Sequence, residues 1–274
     1  MLNEWSKGVY RFRSIIGSAL FNCVFIGWTA VSVTLMIVLL PFPRLVLQRA
    51  VKAWAWSQHW ALKILLGLDY EIRGAEHINN GAAIYATKHQ SAWDTYFFYL
   101  IFSDPAYVLK KELTKIPVWG WVARRCGAIS VDRDGGASAL KVMVHNARQR
   151  LSESRAVIIF PEGTRTQPGT HQAYHPGIAA LYSQCDAPVI PVALNSGLFW
   201  GRRSQIKEAG RIVIEFMKPI PKGLKRRDFM AQLEIIIETR ALELAKEGSQ
   251  KFPNTRHRLH ISRLVNSADQ APVD

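Results

Sequence analysis

Ala82-Ala83-Ile84-Tyr85-Ala86-Thr87 is a short apolar run, and Lys88-His89-Gln90-Ser91-Ala92-Trp93-Asp94 follows it directly. The first six residues have the length and apolar density of a buried strand. The next seven carry a base and an acid. In a helix that begins near Ser91, positions five apart lie about 140° from each other around the axis. His89 and Asp94 therefore cannot share one ordinary helical face. The pair makes chemical sense if His89 closes the strand-to-helix turn and Asp94 reaches back from the first helical turns. The carboxylate then holds the imidazole in one tautomer and leaves the other ring nitrogen free to accept a proton. Taken alone, the pattern fits equally a surface histidine and a helix-start aspartate that never meet.

Outward from this stretch, short apolar runs alternate with helical patterns. Strands are expected at Ala82–Thr87, Ala106–Leu109, Ala128–Val131, Ala156–Phe160, Val189–Leu194 and Arg211–Phe216. Helices are expected at Ser91–Phe102, Ile116–Arg125, Ala137–Ser152, Gly177–Gln184 and Arg227–Lys246. The alternation predicts an α/β fold, a mixed and largely parallel sheet flanked by helices. His89, Lys110, Arg133 and the run Glu162-Gly163-Thr164-Arg165 each follow a predicted strand closely. Ligand sites of open α/β sheets form just outside the strand ends at one edge. Parallel strands would bring these four polar segments to one crevice, and core packing gives no reason for basic residues to recur there.

The N-terminal part is different in kind. From Ser14 to Leu40 no residue is charged, and the run is rich in Ile, Leu, Val and Phe. It exceeds the roughly 20 apolar residues that a membrane helix needs. It also exceeds the 7–15 residues, roughly, of a signal-peptide core, and it ends at Pro41-Phe42-Pro43 rather than at small cleavage-site residues. Between Arg44 and Leu68, the residues Arg44, Gln48, Lys52, His59 and Lys63 cluster on one arc of a helical wheel. Trp54, Trp56 and Trp60 suit the headgroup level. The segment reads as a helix lying in the interface with its basic arc toward anionic headgroups, or as a helix packed on the following domain. Basic residues flank the apolar run on both sides, so charge does not orient it, and a half-inserted helical pair fits as well as a span. The expected layout is 1–68 membrane-associated two-helix segment, 69–250 catalytic domain and 251–274 basic polar tail.

The chain has 274 residues, a net charge of +14 and a pI near 9.9. That balance favours a polyanionic neighbour: nucleic acid, anionic lipid or a phosphorylated substrate. The tryptophans concentrate in the apolar N-terminal region rather than interleaving with basic residues on a sheet, which points away from nucleic acid. Cys23, Cys126 and Cys185 are scattered without metal-ligand spacing or a disulfide framework. His171 and His175 have a zinc-like separation, but Pro168, Gly169, Pro176 and Gly177 surround them and oppose a shared helix. No metal site is expected.

Four blocks in order carry a resemblance. They are Lys88-His89-x4-Asp94, Gly127-Ala128-Ile129-Ser130-Val131-Asp132-Arg133, Phe160-Pro161-Glu162-Gly163-Thr164-Arg165, and Val189-Ile190-Pro191-Val192-Ala193-Leu194. Together they resemble the glycerolipid acyltransferases, specifically the bacterial 1-acyl-sn-glycerol-3-phosphate acyltransferases, over about Tyr70 to Pro219. The resemblance implies transfer of a fatty acyl group from a thioester to the sn-2 hydroxyl of lysophosphatidic acid, giving phosphatidic acid. It implies no bound cofactor, with acyl-CoA or acyl carrier protein thioester as the donor. It places the chain at an anionic membrane surface, on the cytoplasmic side of a bacterial inner membrane.

On this reading His89 is the general base that takes the proton of the attacking alcohol, and Asp94 orients it. Arg133 and Arg165 have planar forks that match phosphate oxygens, and Lys110 supplies a point charge. Glu162, Gly163 and Thr164 shape the turn and contact the glycerol part. Val189, Ile190, Pro191 and Val192 line the acyl chain by resemblance alone; as a bare sequence they read as core. Lys88 departs from the asparagine usual in the family. A cation there would lower the pKa of His89, or contact a phosphate. No Gly-x-Ser-x-Gly elbow occurs, which opposes a serine esterase. The alternatives are a relative with another lysophospholipid acceptor and, more distantly, a non-catalytic basic module that binds membranes or nucleic acid.

Overall fold

Seven strands make one sheet: β1 (Leu68–Arg73), β2 (Ala83–Thr87), β3 (Ala106–Lys110), β4 (Ile129–Val131), β5 (Ala156–Ile159), β6 (Val189–Leu194) and β7 (Gly210–Phe216). The computed structural model describes residues 4–79 and 81–260. Strand order is β1-β7-β6-β2-β5-β3-β4. The five strands from β6 to β4 run parallel. β7 reverses against β6, and β1 pairs parallel with β7. The sheet is therefore mixed and largely parallel, as the alternation of elements predicts.

Alternate side chains of the central strands fill two core layers. Tyr85, Ile158, Ile190 and Val192 pack toward α2 (Arg44–Leu66) and α3 (Asp94–Ile101), and Val122 of α4 (Trp119–Arg125) packs with Leu47 and Val51 of α2. Ile84, Ala86, Val157, Ile159 and Val189 pack toward α5 (Gly136–Ser152), α6 (Gly177–Gln184) and α7 (Arg226–Lys251). Burial on both faces explains why these strands read as continuous apolar runs. In α3, Phe97 and Phe98 are fully buried, each stabilising the fold by about 1.5–3 kcal/mol.

β1 is absent from the strands expected from sequence. Its run Leu68-Asp69-Tyr70-Glu71-Ile72-Arg73 alternates polar and apolar residues because it is an edge strand, paired only with β7. Gly67 precedes it at φ +66°, with its N–H bonded to the carbonyls of Leu62 and Lys63. This left-handed cap ends α2 and turns the chain into the sheet.

α1 (Glu4–Leu35) continues into a 3-10 turn at Met36–Leu39 and packs against α2. The expected basic arc of α2 does not face one way. Gln48 is fully buried and its amide donates to Asp104 and to the carbonyls of Pro105 and Cys126. His59 is buried 3.3 Å from Asp69. Arg44 pairs with Asp104 and Glu153. The helix turns these polar residues onto the sheet domain, where they satisfy buried acceptors, while Leu45, Trp60 and Ile64 stay exposed.

The expected polar tail also begins later than 251. After α7, Pro253–Arg258 forms a 3-10 turn in which Thr255 is buried. Arg258 donates to the carbonyls of Phe199 and Ile206 and lies 3.6 Å from Glu208. These contacts dock the basic run 256–258 on the domain. Residues 261–274 lie outside the described part of the chain.

Candidate active site

Parallel pairing of β2, β5, β3 and β4 sends the chain after each strand to the same sheet edge. There a cavity of about 270 Å³ takes in His89, Lys110, Arg133, Gly163 and Arg165. These five residues from four polar segments, each at or just after the end of a strand, are brought together. Apolar side chains complete its walls, among them Val108, Leu113, Leu140, Met143 and Ile178.

Asp94 occupies the first turn of α3 and reaches back, as the spacing predicts. Its Oδ2 lies 3.0 Å from Nδ1 of His89 and accepts the backbone N–H groups of Gln90 and Ser91 at 2.7 and 2.8 Å. The bond to an acceptor-only carboxylate places the imidazole proton on Nδ1 and leaves Nε2 with a free lone pair. The ring stacks on Phe160 at 4.0 Å between centroids, which fixes its plane. The main chain of His89 is held too. Its N–H donates to Glu162 Oε2 at 3.2 Å, and its carbonyl accepts from the N–H and hydroxyl of Thr166. Burial pushes the imidazole pKa below its ordinary value of 6.5, opposed by Asp94 and assisted by the Arg165 guanidinium.

Three cations stand around this base. Among the described residues, no hydrogen bond or ion pair engages the half-buried Arg165 guanidinium, and burial lowers its pKa. A half-buried guanidinium with no hydrogen bond or ion pair of its own is suited to a bound anion. Arg133 donates one N–H to the carbonyl of Gly163 at 2.6 Å, and Lys110 stands exposed, 3.7 Å from Glu112. Gly163 has φ +65°, and a Cβ there would meet the His175 ring at 2.7 Å and Arg133 at 3.0 Å. Glycine is needed for the turn conformation and for this close packing.

Other predicted site residues lie elsewhere. The Glu162 carboxylate is buried and turned inward onto Lys88, the His89 N–H and Thr166, so it supports the turn rather than facing a substrate. Burial pushes its pKa up to about 7, against the pull of Lys88. Thr164 is half-buried and outside the cavity lining. Val189, Ile190, Pro191 and Val192 do not line the cavity either. They lie in β6 between β2 and β7, and Val189, Ile190 and Val192 fill the two core layers. An interior strand buried on both faces has no side free for a ligand.

Lys88 has no donor free for a phosphate and is not among the groups that shift the His89 pKa. Its ammonium is buried, with Glu162 at 2.7 Å and Glu238 at 2.6 Å. His171 pairs with Glu234 at 2.5 Å and His175 packs on the Gly163 turn, so the two rings have different neighbours. Sequence reasoning passed over Phe160 as the stacking partner of the base, Thr166 as a clamp on its carbonyl, and Glu238. Phe160 opens a quoted block and Thr166 directly follows it. Glu238 lies 150 positions from Lys88 and gives no local signal. A larger cleft of about 940 Å³ lies beyond Gln167 and Pro168 and contains none of the predicted site residues.

Residues 69–195 match the family model described as Acyltransferase. Over 164 residues the chain is 34% identical to the 1-acyl-sn-glycerol-3-phosphate acyltransferase of Pseudomonas aeruginosa, covering 60% of this chain and 64% of that protein. It is 26% identical over 190 residues to the protein of the same name from Saccharomyces cerevisiae, covering 68% and 63%. The chain thus spans less than two thirds of the length of these curated relatives. In fold it matches the crystal structure of the 1-acyl-sn-glycerophosphate (LPA) acyltransferase PlsC from Thermotoga maritima. The TM-score is 0.67 and the identity 18%, over 86% of this chain and 97% of that one. The matched segment begins inside β1 and ends just after β6, so it contains every residue that lines the His89 cavity.

Proposed function

We propose that this protein transfers a fatty acyl group from an acyl thioester to the sn-2 hydroxyl of 1-acyl-glycerol-3-phosphate, making phosphatidic acid. The observation that carries this reading is the shared cavity. His89, with Nδ1 committed to Asp94, lines the same space as Lys110, Arg133 and Arg165, which has no partner among the described residues. A base and a set of cations suit a substrate with an alcohol near one end and a phosphate monoester near the other.

The thioester carbonyl is a good electrophile, so the step needs no covalent enzyme intermediate and no bound cofactor. Nε2 of His89 takes the hydroxyl proton as the oxygen attacks the carbonyl carbon. Asp94 stabilises the imidazolium that forms. The tetrahedral intermediate collapses, the carbon–sulfur bond breaks, and the leaving thiolate takes the proton back from His89. The depressed pKa keeps the imidazole unprotonated near pH 7, as a base must be. The donor is acyl-CoA or acyl carrier protein thioester.

The apolar hairpin suits the cytoplasmic surface of a bacterial inner membrane. α1 is pinned to the catalytic domain at both ends of its apolar run. Ser18 and Asn22 bond to Lys207 and Gln205, and Arg125 donates to the carbonyls of Leu40 and Phe42. A helix pinned this way lies along the domain rather than crossing a bilayer. The outward side chains of α1 and of the turn after it, among them Ile26, Val31, Leu35, Val38 and Phe42, are exposed and apolar, which fits insertion into one leaflet beside anionic headgroups.

Radiolabelled acyl thioester incubated with lysophosphatidic acid tests the reading, with the donor and the acceptor headgroup varied. Labelled phosphatidic acid from the wild type and none from His89→Ala is the expected result. Equal transfer by His89→Ala, or a preference for lysophospholipids with larger headgroups, overturns it.

A further inference from the structure

Lys88 stands beside the base in sequence and is buried at 1% side-chain exposure. An ammonium has three donors, and all three are committed. Its Nζ lies 2.7 Å from Glu162 Oε1, 2.6 Å from Glu238 Oε2 and 3.1 Å from the carbonyl of Thr170. No donor is left for a ligand. Glu238 belongs to α7, and its other oxygen accepts the Tyr174 hydroxyl at 2.8 Å. Glu162 passes the connection on, since its Oε2 accepts the N–H of His89. An unbroken series of charge-assisted bonds thus runs from α7 through Glu238, Lys88 and Glu162 to the main chain of the base.

We propose that Lys88 and Glu238 are positioning residues for His89: their buried ion pair transmits the position of α7 to the imidazole through Glu162. The proposal rests on the acyltransferase reading, because His89 is the base only in that reaction. The length of a lysine is what the arrangement needs. Its stem carries a cation between two carboxylates from distant parts of the chain, a span an asparagine amide cannot reach or neutralise. The groups facing Glu162 are Lys88, Thr166 and the His89 N–H. Those facing Glu238 are Lys88 and Tyr174, with the Glu234–His171 pair beyond. Two carboxylates share one cation, so removing the cation forces Glu162 and Glu238 apart. Small displacements of a base near its substrate cost large factors in turnover.

The test uses full-length protein in detergent micelles, as wild type, Lys88→Met, Glu238→Gln and Tyr174→Phe. Turnover and KM for lysophosphatidic acid and a long-chain acyl thioester are measured beside hydrogen–deuterium exchange of peptides covering residues 88–94. For Glu238→Gln the expected result is a fall in kcat of about tenfold with KM within about twofold, and faster exchange at 88–94. Tyr174→Phe shows the same pattern more weakly, and it serves in place of any variant that does not fold. Unchanged kcat in a folded Glu238→Gln protein overturns the proposal. So does faster exchange confined to α7, the signature of a helix merely held in place. If the wild type transfers no acyl group to lysophosphatidic acid, the reaction assignment falls while the exchange measurement still decides the coupling.

Discussion

Oδ2 of Asp94 lies 3.0 Å from Nδ1 of His89 while the same oxygen accepts two backbone N–H groups of the intervening turn. One atom therefore both folds the strand-to-helix turn and sets the tautomer of the base. Replacing Asp94 by Asn substitutes a weaker acceptor and lets an amide N–H face the ring. Acyl transfer should fall by about 10²–10⁴-fold in Asp94→Asn. Circular dichroism and steady-state kinetics on the purified variant check this; activity within a factor of three of wild type refutes it.

His89 is depressed below 6.5, chiefly by burial and partly by Arg165. The rate should therefore rise with pH through a midpoint below 6.5 and level off above it. Removing the nearby cation in Arg165→Ala should move that midpoint upward. The same change takes away a charge-assisted bond worth about 1.5–3 kcal/mol, raising KM for lysophosphatidic acid by about 10–100-fold. A pH–rate series on both proteins reads the two effects together, and a midpoint that moves down contradicts the assignment.

Glu162 is raised from 4.5 to about 7 in the folded chain. The folded state then holds a proton that the unfolded state releases. Stability from this group is present below pH 4.5 and is lost as pH rises toward 7. Melting temperature should decline between pH 5 and 7.5 by on the order of 5 °C from this source. In Glu162→Gln that part of the decline disappears. Differential scanning fluorimetry across the range measures it; an unaltered slope rules the account out.

Gly163 combines φ +65° with a His175 ring atom 2.7 Å from where a Cβ would sit. Gly163→Ala should destabilise the protein by about 1–3 kcal/mol and displace Arg133, which bonds to the Gly163 carbonyl. Urea unfolding gives the first quantity. A neutral effect on stability shows that the turn relaxes without strain.

Val38 and Phe42 are 68% and 50% exposed at the hairpin tip. Burying such side chains in lipid is worth about 1.5–3 kcal/mol each. Val38→Asp with Phe42→Asp should weaken sedimentation with anionic vesicles by at least tenfold while leaving the fold intact. Undiminished co-sedimentation would place the membrane contact elsewhere.

Periodicity and local apolar density in the sequence determined much of this protein. Six strands, five helices of the sheet domain and the long apolar N-terminal helix were legible, because buried parallel strands and helix faces leave period and composition behind. So was the pairing of His89 with Asp94, a contact spanning only five residues. Edge strand β1 was not, since alternation without apolar density is a weak signal. The inward turn of Gln48 and His59 was not, because a polar arc looks the same whether it meets water or a buried carbonyl. Only the tertiary structure decided that Lys88 is spent on Glu162 and Glu238, that β6 is core rather than lining, and that Arg165 has no partner among the described residues. Those outcomes depend on strand order and on contacts between residues far apart in the chain, and a linear string carries no record of which distant side chains share a dry interior.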